Sequence, residues 1–183
     1  MMNTTNVPSD FVAALKSMTT QNASTISGMS YQSPVLVIFV RHFGCTFCRE
    51  ALSDIAKLRG ELTKEGVKVV FVHLHPETEA APFFAGYDLG DVERISDPEH
   101  KLYDAFELKR ATSSAMFDVK VWWRATFGGA VIRHGIGRPN ADVMRMPGVF
   151  LIQNDTIISA FRHKSMADRP NYRELMACPL PAK

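Results

Sequence analysis

The chain has 183 residues, of which 46% are hydrophobic and 22% charged, and its formal net charge is +2. This length suits one domain with its own core, and the scattered basic residues give no electrostatic reason to expect a nucleic acid or an acidic membrane surface as partner. The longest purely apolar run, residues 35–40, is far too short to span a bilayer. We therefore expect a globular protein that binds neither nucleic acid nor membrane.

The cysteine content also limits the class of protein. Only Cys45, Cys48 and Cys178 are present. This odd, low count is a poor disulfide framework and suits a reducing compartment, where a close cysteine pair is more often catalytic or metal-binding. Residues 1–32 are polar and lack the apolar centre of a signal peptide, so a cytoplasmic location is expected. Cys178 precedes a proline-containing tail and is predicted to be dispensable for redox activity.

The first predicted element is a short helix that Ser9 or Asp10 caps. Residues 21–33 are expected to be a loop with at most a short strand. A continuous β-branched run at residues 35–40 then predicts a buried strand, and residues 41–44 form a short turn.

A helix is predicted from Cys45, since apolar residues recur at helical spacing, and Gly66 ends it. Residues 67–74 predict a second buried strand. Because a short loop joins the first strand to the helix, the three elements form a βαβ unit with a parallel strand pair.

The middle of the chain is less regular. Helices are predicted for residues 76–84 and 97–108, with a short strand at 92–96 between them. Residues 111–138 are interpreted as an insertion, within which residues 117–127 could form a helix.

Regular patterns return near the C-terminus. Residues 148–153 and 156–161 predict two strands joined by a tight turn at Asn154 and Asp155. A closing helix is predicted for residues 168–178, with Pro170 near its first position.

These elements predict an α/β fold with a central mixed sheet, built from a parallel βαβ unit and a C-terminal β-hairpin and flanked by helices. The domain is expected to span residues 34–178. Residues 1–33 form an N-terminal extension that packs on it, and residues 179–183 form a tail.

Cys45 and Cys48 lie three residues apart, directly after a buried strand and at the start of a helix. At this spacing two sulfurs are within bonding distance in one helical turn. The free N–H groups and the positive dipole end of the first turn stabilise a thiolate, which is the nucleophile in thiol chemistry. The pair is therefore predicted to be a redox site that forms a reversible intramolecular disulfide.

Two other interpretations of the pair stay open. Zinc sites also use two cysteines at this spacing, and the remaining ligands would have to come from His42, His73, His75 or Cys178. Alternatively, the two cysteines are small buried hydrophobic residues. His73 and His75 share one face of a strand, which is more typical of satisfied structural histidines than of a metal site, so no metal is predicted.

Several neighbouring side chains are candidates for a role at the pair. Arg41 and Arg49 flank it, and either could favour an anion or the thiolate, although solvated charges are the more usual explanation. His42 either lowers the pKa of a cysteine or is an exposed turn residue. Trp122 and Trp123 are interpreted as core or subunit contacts rather than as a lid over the site.

The motif and its surroundings resemble a known family. Residues 37–50 (VIFVRHFGCTFCRE), 95–98 (ISDP) and 146–152 (MPGVFLI) are similar to the peroxiredoxin-like, AhpC/TSA-like branch of the thioredoxin-fold superfamily, which includes the SelL-related redox proteins. The resemblance covers most of residues 34–177 and is patchy across 111–138. It implies a thioredoxin-like fold, peroxide or disulfide reduction, and no cofactor.

The resemblance also implies roles for residues and partners. Pro147 takes the place of a cis proline that faces the cysteine pair, so the Met146–Pro147 bond is predicted to be cis, with Met146 against the pair. Thr46 and Phe47 are supporting residues between the cysteines. The expected partners are a disulfide-bearing protein or small peroxide as substrate and a thioredoxin or glutathione system as thiol reductant, and a homodimer is left open.

One departure from the family pattern concerns the attacking sulfur. Typical peroxiredoxins carry a proline and a threonine before a single peroxidatic cysteine, whereas Cys45 here takes the threonine position and no proline lies between Arg41 and Cys48. Cys45 is predicted to attack protein disulfides, because it is expected to be nearer the solvent and the free N–H groups, and Cys48 is predicted to resolve. Cys48 remains the alternative nucleophile towards peroxide.

Overall fold

The computed structural model describes residues 9–110, 144–165 and 168–177. Its helices and strands in chain order are α1 (Ser9–Ser17), α2 (Ile26–Ser30), β1 (Val35–Phe39), α3 (Thr46–Lys64), β2 (Lys68–His73), α4 (Glu77–Ala85), β3 (Glu93–Ser96), α5 (Lys101–Ala105), β4 (Gly148–Gln153), β5 (Thr156–Arg162) and α6 (Tyr172–Met176). Within these ranges, no helix is long and apolar enough to cross a membrane. Cys178, Trp122, Trp123 and the whole predicted insertion at residues 111–138 lie outside the described residues.

The strands form one mixed sheet in the order β3-β2-β1-β4-β5. β1 pairs parallel to β2 and antiparallel to β4, and β4 and β5 form an antiparallel hairpin. Asn154 and Asp155 turn the hairpin with positive φ values of 51° and 57°, the conformation that a tight two-residue turn requires. The predicted βαβ unit and C-terminal hairpin are both confirmed.

β1 lies at the centre of the sheet and is buried on both faces. Leu36 and Ile38 pack on the side of α3, whereas Val35, Val37 and Phe39 belong to the core on the side of α1 and α5. This two-sided burial explains why the strand is continuously apolar rather than alternating. Burial on both faces also holds the end of β1 in place, and a short turn leads from there to the cysteine pair.

Three predicted segments differ from the structure. The helix predicted for residues 97–108 spans only Lys101–Ala105, because the left-handed backbone of His100, with φ 62°, lies outside a helix. Residues 21–33 contain the short helix α2, which begins because the Thr25 hydroxyl accepts a 3.0 Å hydrogen bond from the Gly28 N–H group. The closing helix spans only Tyr172–Met176 and is capped by Asn171, so Pro170 lies before it rather than in its first turn.

The predicted cis bond between Met146 and Pro147 is wrong, because the described residues contain no cis peptide bond. The Met146 N–H group donates a 3.1 Å hydrogen bond to the Lys109 carbonyl, next to an antiparallel bridge between Arg110 and Arg145. The chain therefore enters β4 in an extended path. A trans proline fits there, since it precedes the strand and leaves no ladder donor missing.

Candidate active site

The cysteine pair lies at the N-terminus of α3. Cys45 is the N-cap residue and Cys48 is in the first helical turn, and both thiols are free. Neither is well exposed, with 6% of Cys45 and 4% of Cys48 reached by solvent. The structure therefore places both sulfurs at a helix start, as predicted, but Cys45 is scarcely more exposed than its neighbour.

The side chain nearest to the pair is that of Arg41. It is only 5% exposed, so its interpretation as a solvated charge is wrong. Its guanidinium Nη2 lies 2.9 Å from the Cys45 Sγ, and its backbone N–H group donates to the Cys48 Sγ at 3.4 Å. One residue thus contacts both sulfurs, with its charge directed at Cys45.

The hydrogen bonding shifts the pKa values of the two sulfurs in opposite directions. A hydrogen bond from the Cys48 thiol lowers the pKa of Cys45 well below its usual value, and the positive charge of Arg41 acts in the same direction against the effect of burial. The same hydrogen bond, together with burial, raises the pKa of Cys48 well above its usual value. Cys45 therefore loses its proton more readily than Cys48.

The guanidinium also gains from this arrangement. Burial lowers the pKa of Arg41, but the negative charge on the cysteine pair outweighs it, and the net effect raises the Arg41 pKa above its usual value. Arg41 therefore stays charged in a nearly dry site, where a charge-assisted hydrogen bond is stronger than at the surface.

The turn that carries Cys45 is held by aromatic stacking and hydrogen bonds. The Phe43 ring lies between the rings of His75 and Phe83, at centroid distances of 3.9 Å and 4.1 Å. Its backbone N–H group donates to His75 Nε2 at 3.4 Å, and its carbonyl accepts a 2.8 Å hydrogen bond from Arg49 Nε. Arg49 thus holds the turn, so its interpretation as a solvated charge is incomplete.

The histidines near the pair are not arranged as metal ligands. His42 is 8% exposed, so it is not an exposed turn residue, and burial is the main cause that lowers its pKa. His75 Nδ1 lies 3.1 Å from a Glu79 carboxylate oxygen. Burial lowers the pKa of His73 to about 4, and neither of its ring nitrogens has a hydrogen-bond partner in the described part of the chain. The described residues contain no cluster of three or more His, Cys, Asp or Glu side chains that could hold a metal ion.

A small cavity of about 30 Å³ adjoins both sulfurs. Phe47 and Pro147, which the resemblance names as supporting residues, both line it, and their supporting role stays a prediction. Thr46 and Met146 are buried but do not line this cavity, so the predicted position of Met146 against the pair gains no support. A water molecule needs at least about 10–15 Å³, so the space admits one or two waters or a molecule as small as hydrogen peroxide.

Sequence reasoning missed several residues around the cavity. Behind the cavity-lining Val40, the Tyr103 hydroxyl shares its one proton between the carbonyls of Val40, just after β1, and Val72 in β2, and so ties the two strand ends together. Asp54 and Arg169 form an ion pair along one wall. Tyr103 and Arg169 lie in segments that resemble the family (Leu102-Tyr103 and residues 167–170), but no local pattern gave them or Asp54 a role at the site.

A free cysteine pair that starts the helix after the central strand of such a sheet defines a thiol oxidoreductase of thioredoxin-like fold. The chain belongs to the AhpC/TSA family, whose family model matches residues 9–161. This membership, with peroxiredoxins among the structural neighbours, makes it an enzyme of the thiol peroxidase or oxidoreductase class.

Individual relatives agree with this assignment. The prostamide/prostaglandin F synthase of Danio rerio is 26% identical over 183 residues, which cover 95% of this chain and 88% of that protein. The chloroplastic thioredoxin-like protein AAED1 of Arabidopsis thaliana is 24% identical and covers 86% of this chain and 66% of its own length.

Two solved structures show the same fold. The bacterioferritin comigratory protein of Xanthomonas campestris superposes with a TM-score of 0.58 at 16% identity, covering 85% of this chain and 86% of its own. The peroxidoxin BcpB of Mycobacterium tuberculosis has a TM-score of 0.58 at 18% identity and covers 88% of each chain. Membership of the narrower SelL-related group stays a prediction.

Proposed function

We propose that the protein is a two-cysteine thiol peroxidase in which Cys45 attacks the peroxide and Cys48 resolves the product. The observation that carries the proposal is the position of the Arg41 guanidinium, 2.9 Å from the Cys45 sulfur. A thiolate is the reactive form of cysteine, and the charge and hydrogen bonds around Cys45 favour that form at neutral pH.

The proposed reaction has two steps. The Cys45 thiolate attacks one peroxide oxygen, the O–O bond breaks, and the departing oxygen takes a proton and leaves as water or an alcohol. Cys45 is then a sulfenic acid. The Cys48 sulfur attacks the Cys45 sulfur, water leaves, and a Cys45–Cys48 disulfide forms. The peroxide has gained two electrons, which an external thiol system returns to the protein.

The size and burial of the site favour a peroxide over a protein disulfide as the oxidant. A disulfide in a folded protein needs an exposed attacking sulfur, whereas Cys45 is 6% exposed and adjoins a cavity of about 30 Å³. The predicted attack of Cys45 on protein disulfides is therefore the second candidate function. The names of the prostamide/prostaglandin F synthase relatives add a lipid-derived substrate to the compounds worth assaying.

Single-cysteine variants test the assignment of the nucleophile. After hydrogen peroxide treatment, Cys48→Ser should accumulate a sulfenic acid on Cys45 that a dimedone probe labels, while Cys45→Ser should remain unlabelled. Mass spectrometry of the oxidised parent protein should show a bridge between residues 45 and 48. Peroxide consumption by Cys45→Ser with label on Cys48 would reverse the roles, and a bridge to Cys178 would contradict the pair as a unit.

The same preparations separate the other candidates. If the protein reduces protein disulfides, Cys48→Ser should trap a mixed disulfide with its substrate through Cys45. A non-catalytic zinc module would instead release metal on mild oxidation and show no turnover. Peroxide turnover measured with thioredoxin and with glutathione as reductant identifies the electron donor, and cell fractionation tests the proposed cytoplasmic location.

A further inference from the structure

Four residues separate the cysteine cavity from an outer groove on the same side of the protein. Asp54, Arg169, Pro170 and Tyr172 line both spaces. The inner cavity has a volume of about 30 Å³ and the outer groove about 460 Å³. These residues therefore form the wall between the buried sulfurs and a space large enough for a small organic molecule.

An ion pair holds this wall to α3. Arg169 Nε donates to Asp54 Oδ2 at 2.9 Å, and Nη2 donates to Oδ1 at 2.6 Å. A third nitrogen of the guanidinium lies 3.7 Å from Glu50 Oε1. The Asp54 side chain is 11% exposed, whereas that of Arg169 is 54% exposed. The carboxylate is thus fixed in the protein, while the arginine has solvent on one side into which it can rotate.

The chemistry requires a change at this site between the two halves of the reaction. Hydrogen peroxide fits the closed cavity. Reduction of a Cys45–Cys48 disulfide, however, needs a third sulfur to approach one of the bonded sulfurs directly. A thiol that carries even a short peptide is far larger than 30 Å³. A reductant that approaches from the outer groove therefore needs the wall to open, whereas hydrogen peroxide does not.

We propose that the ion pair between Arg169 and Asp54 is a size gate to the cysteine pair. This rests on the proposed function of the pair. Closed, the gate admits small hydroperoxides. When Arg169 swings away from Asp54, the inner cavity and the outer groove become one space, which admits a small thiol reductant of the size of a tripeptide. Arg169 and Asp54 are thus specificity-determining residues rather than catalytic ones.

Thiol alkylation measures the gate without relying on peroxidase activity. In a Cys178→Ser background, the reduced protein is treated with iodoacetamide as the small reagent and with fluorescein maleimide as the bulky one. The rate of the bulky reagent relative to the small one reports the opening. Arg169→Gln should raise this ratio by about fivefold, the factor expected for the loss of an ion pair at the favourable end of exposed pairs.

The chain supplies a matched control in Arg173→Gln. Arg173 makes a similar two-point ion pair with Glu61, at 2.8 Å and 2.9 Å, but it lines only the outer groove. It should leave the ratio unchanged. Asp54→Asn, which keeps the size of the side chain, should reproduce the effect of Arg169→Gln if the pair itself is the gate.

The outcomes separate the gate from the proposed function. An unchanged ratio in Arg169→Gln and Asp54→Asn, with circular dichroism spectra like that of the parent protein, would overturn the gate. An equal rise in Arg173→Gln would overturn it as well, since the effect would then reflect general loosening. Absence of peroxide turnover combined with a selective rise in Arg169→Gln would contradict the proposed function but leave the gate standing.

Discussion

Substitution of Arg41 by glutamine gives the sharpest test of how the site creates its nucleophile. The change removes the positive charge at 2.9 Å from the Cys45 sulfur but keeps a polar side chain of moderate size. Burial continues to disfavour the thiolate, and the main opposing charge is gone. We therefore expect the pKa of Cys45 to rise towards its usual value, so that less thiolate is present at neutral pH.

The size of the effect follows from the contact that is lost. Hydrogen bonds to charged groups contribute about 1.5–3 kcal/mol, and about 1.4 kcal/mol is a factor of ten in rate. Because Arg41 is only 5% exposed, water cannot easily replace it. Arg41→Gln should therefore react with hydrogen peroxide at least about tenfold more slowly at pH 7. The difference should shrink at high pH, where both proteins carry the thiolate.

The assay combines thiolate absorbance at 240 nm with stopped-flow peroxide kinetics across pH, in the Cys178→Ser background. Arg41→Lys keeps the charge and should fall between the parent protein and Arg41→Gln. Lys64→Gln, at the exposed end of α3, removes one positive charge far from the sulfurs and should behave like the parent. Unchanged titration of Cys45 in Arg41→Gln would refute the reasoning, and so would an equal shift in Lys64→Gln.

Two further predictions concern stability. In Gly148→Ala, the new Cβ would lie 2.7 Å from Leu108 Cδ2 and 2.8 Å from Phe150 Cε2, so urea unfolding should show a loss of about 1–3 kcal/mol. Gly60→Ala, where nothing lies within 4 Å, should instead gain about 0.5–1 kcal/mol, and a similar loss in both would argue against the packing explanation. The folded state holds the pKa of His73 at about 4, against a usual 6.5, so the unfolded state binds more protons between these values. The free energy of unfolding is therefore highest above pH 6.5 and falls by about 3 kcal/mol as the pH drops from 6.5 through 4. In urea unfolding, His73→Phe should flatten this part of the pH profile. An unchanged profile would show that another group titrates.

The long elements could be predicted because the burial that stabilises them produces a recognisable pattern of apolar residues in the sequence. β1 is buried on both faces and therefore reads as an unbroken apolar run, and α3 carries apolar residues at helical spacing along one side. The short helices gave no such signal. α2 has five residues, too few to show a period, and depends on the Thr25 cap and on packing beneath the sheet.

The site was predictable only as far as its local motif. The spacing of Cys45 and Cys48 after a strand identified the pair, but the burial of Arg41 depends on tertiary structure. An arginine beside a turn is usually solvated. One signal was present, since Arg41 directly follows the six apolar residues 35–40, which include the fully buried strand β1.

The trans bond before Pro147 shows a different limit. The resemblance placed the proline beside the cysteines, where it does lie, but it did not determine the isomer. The path of the chain into β4 depends on pairing between Arg145 and Arg110, and these residues lie on opposite sides of the segment least legible in the sequence. A local motif therefore located the proline in space without determining its peptide bond.

The asymmetry between the cysteines also explains how one site could serve both steps of the proposed reaction. Cys48 is held as a thiol by its hydrogen bond to the Cys45 sulfur, by burial and by the negative charge on Cys45, while Arg41 opposes these effects. When Cys45 becomes a neutral sulfenic acid, its negative charge disappears and the guanidinium remains. The pKa of Cys48 should then fall, so its thiolate becomes available only after the peroxide has been reduced. The hydrogen bond between the two sulfurs, which lowers the pKa of Cys45 and raises that of Cys48, thereby activates the first sulfur and delays the second until the peroxide has been reduced.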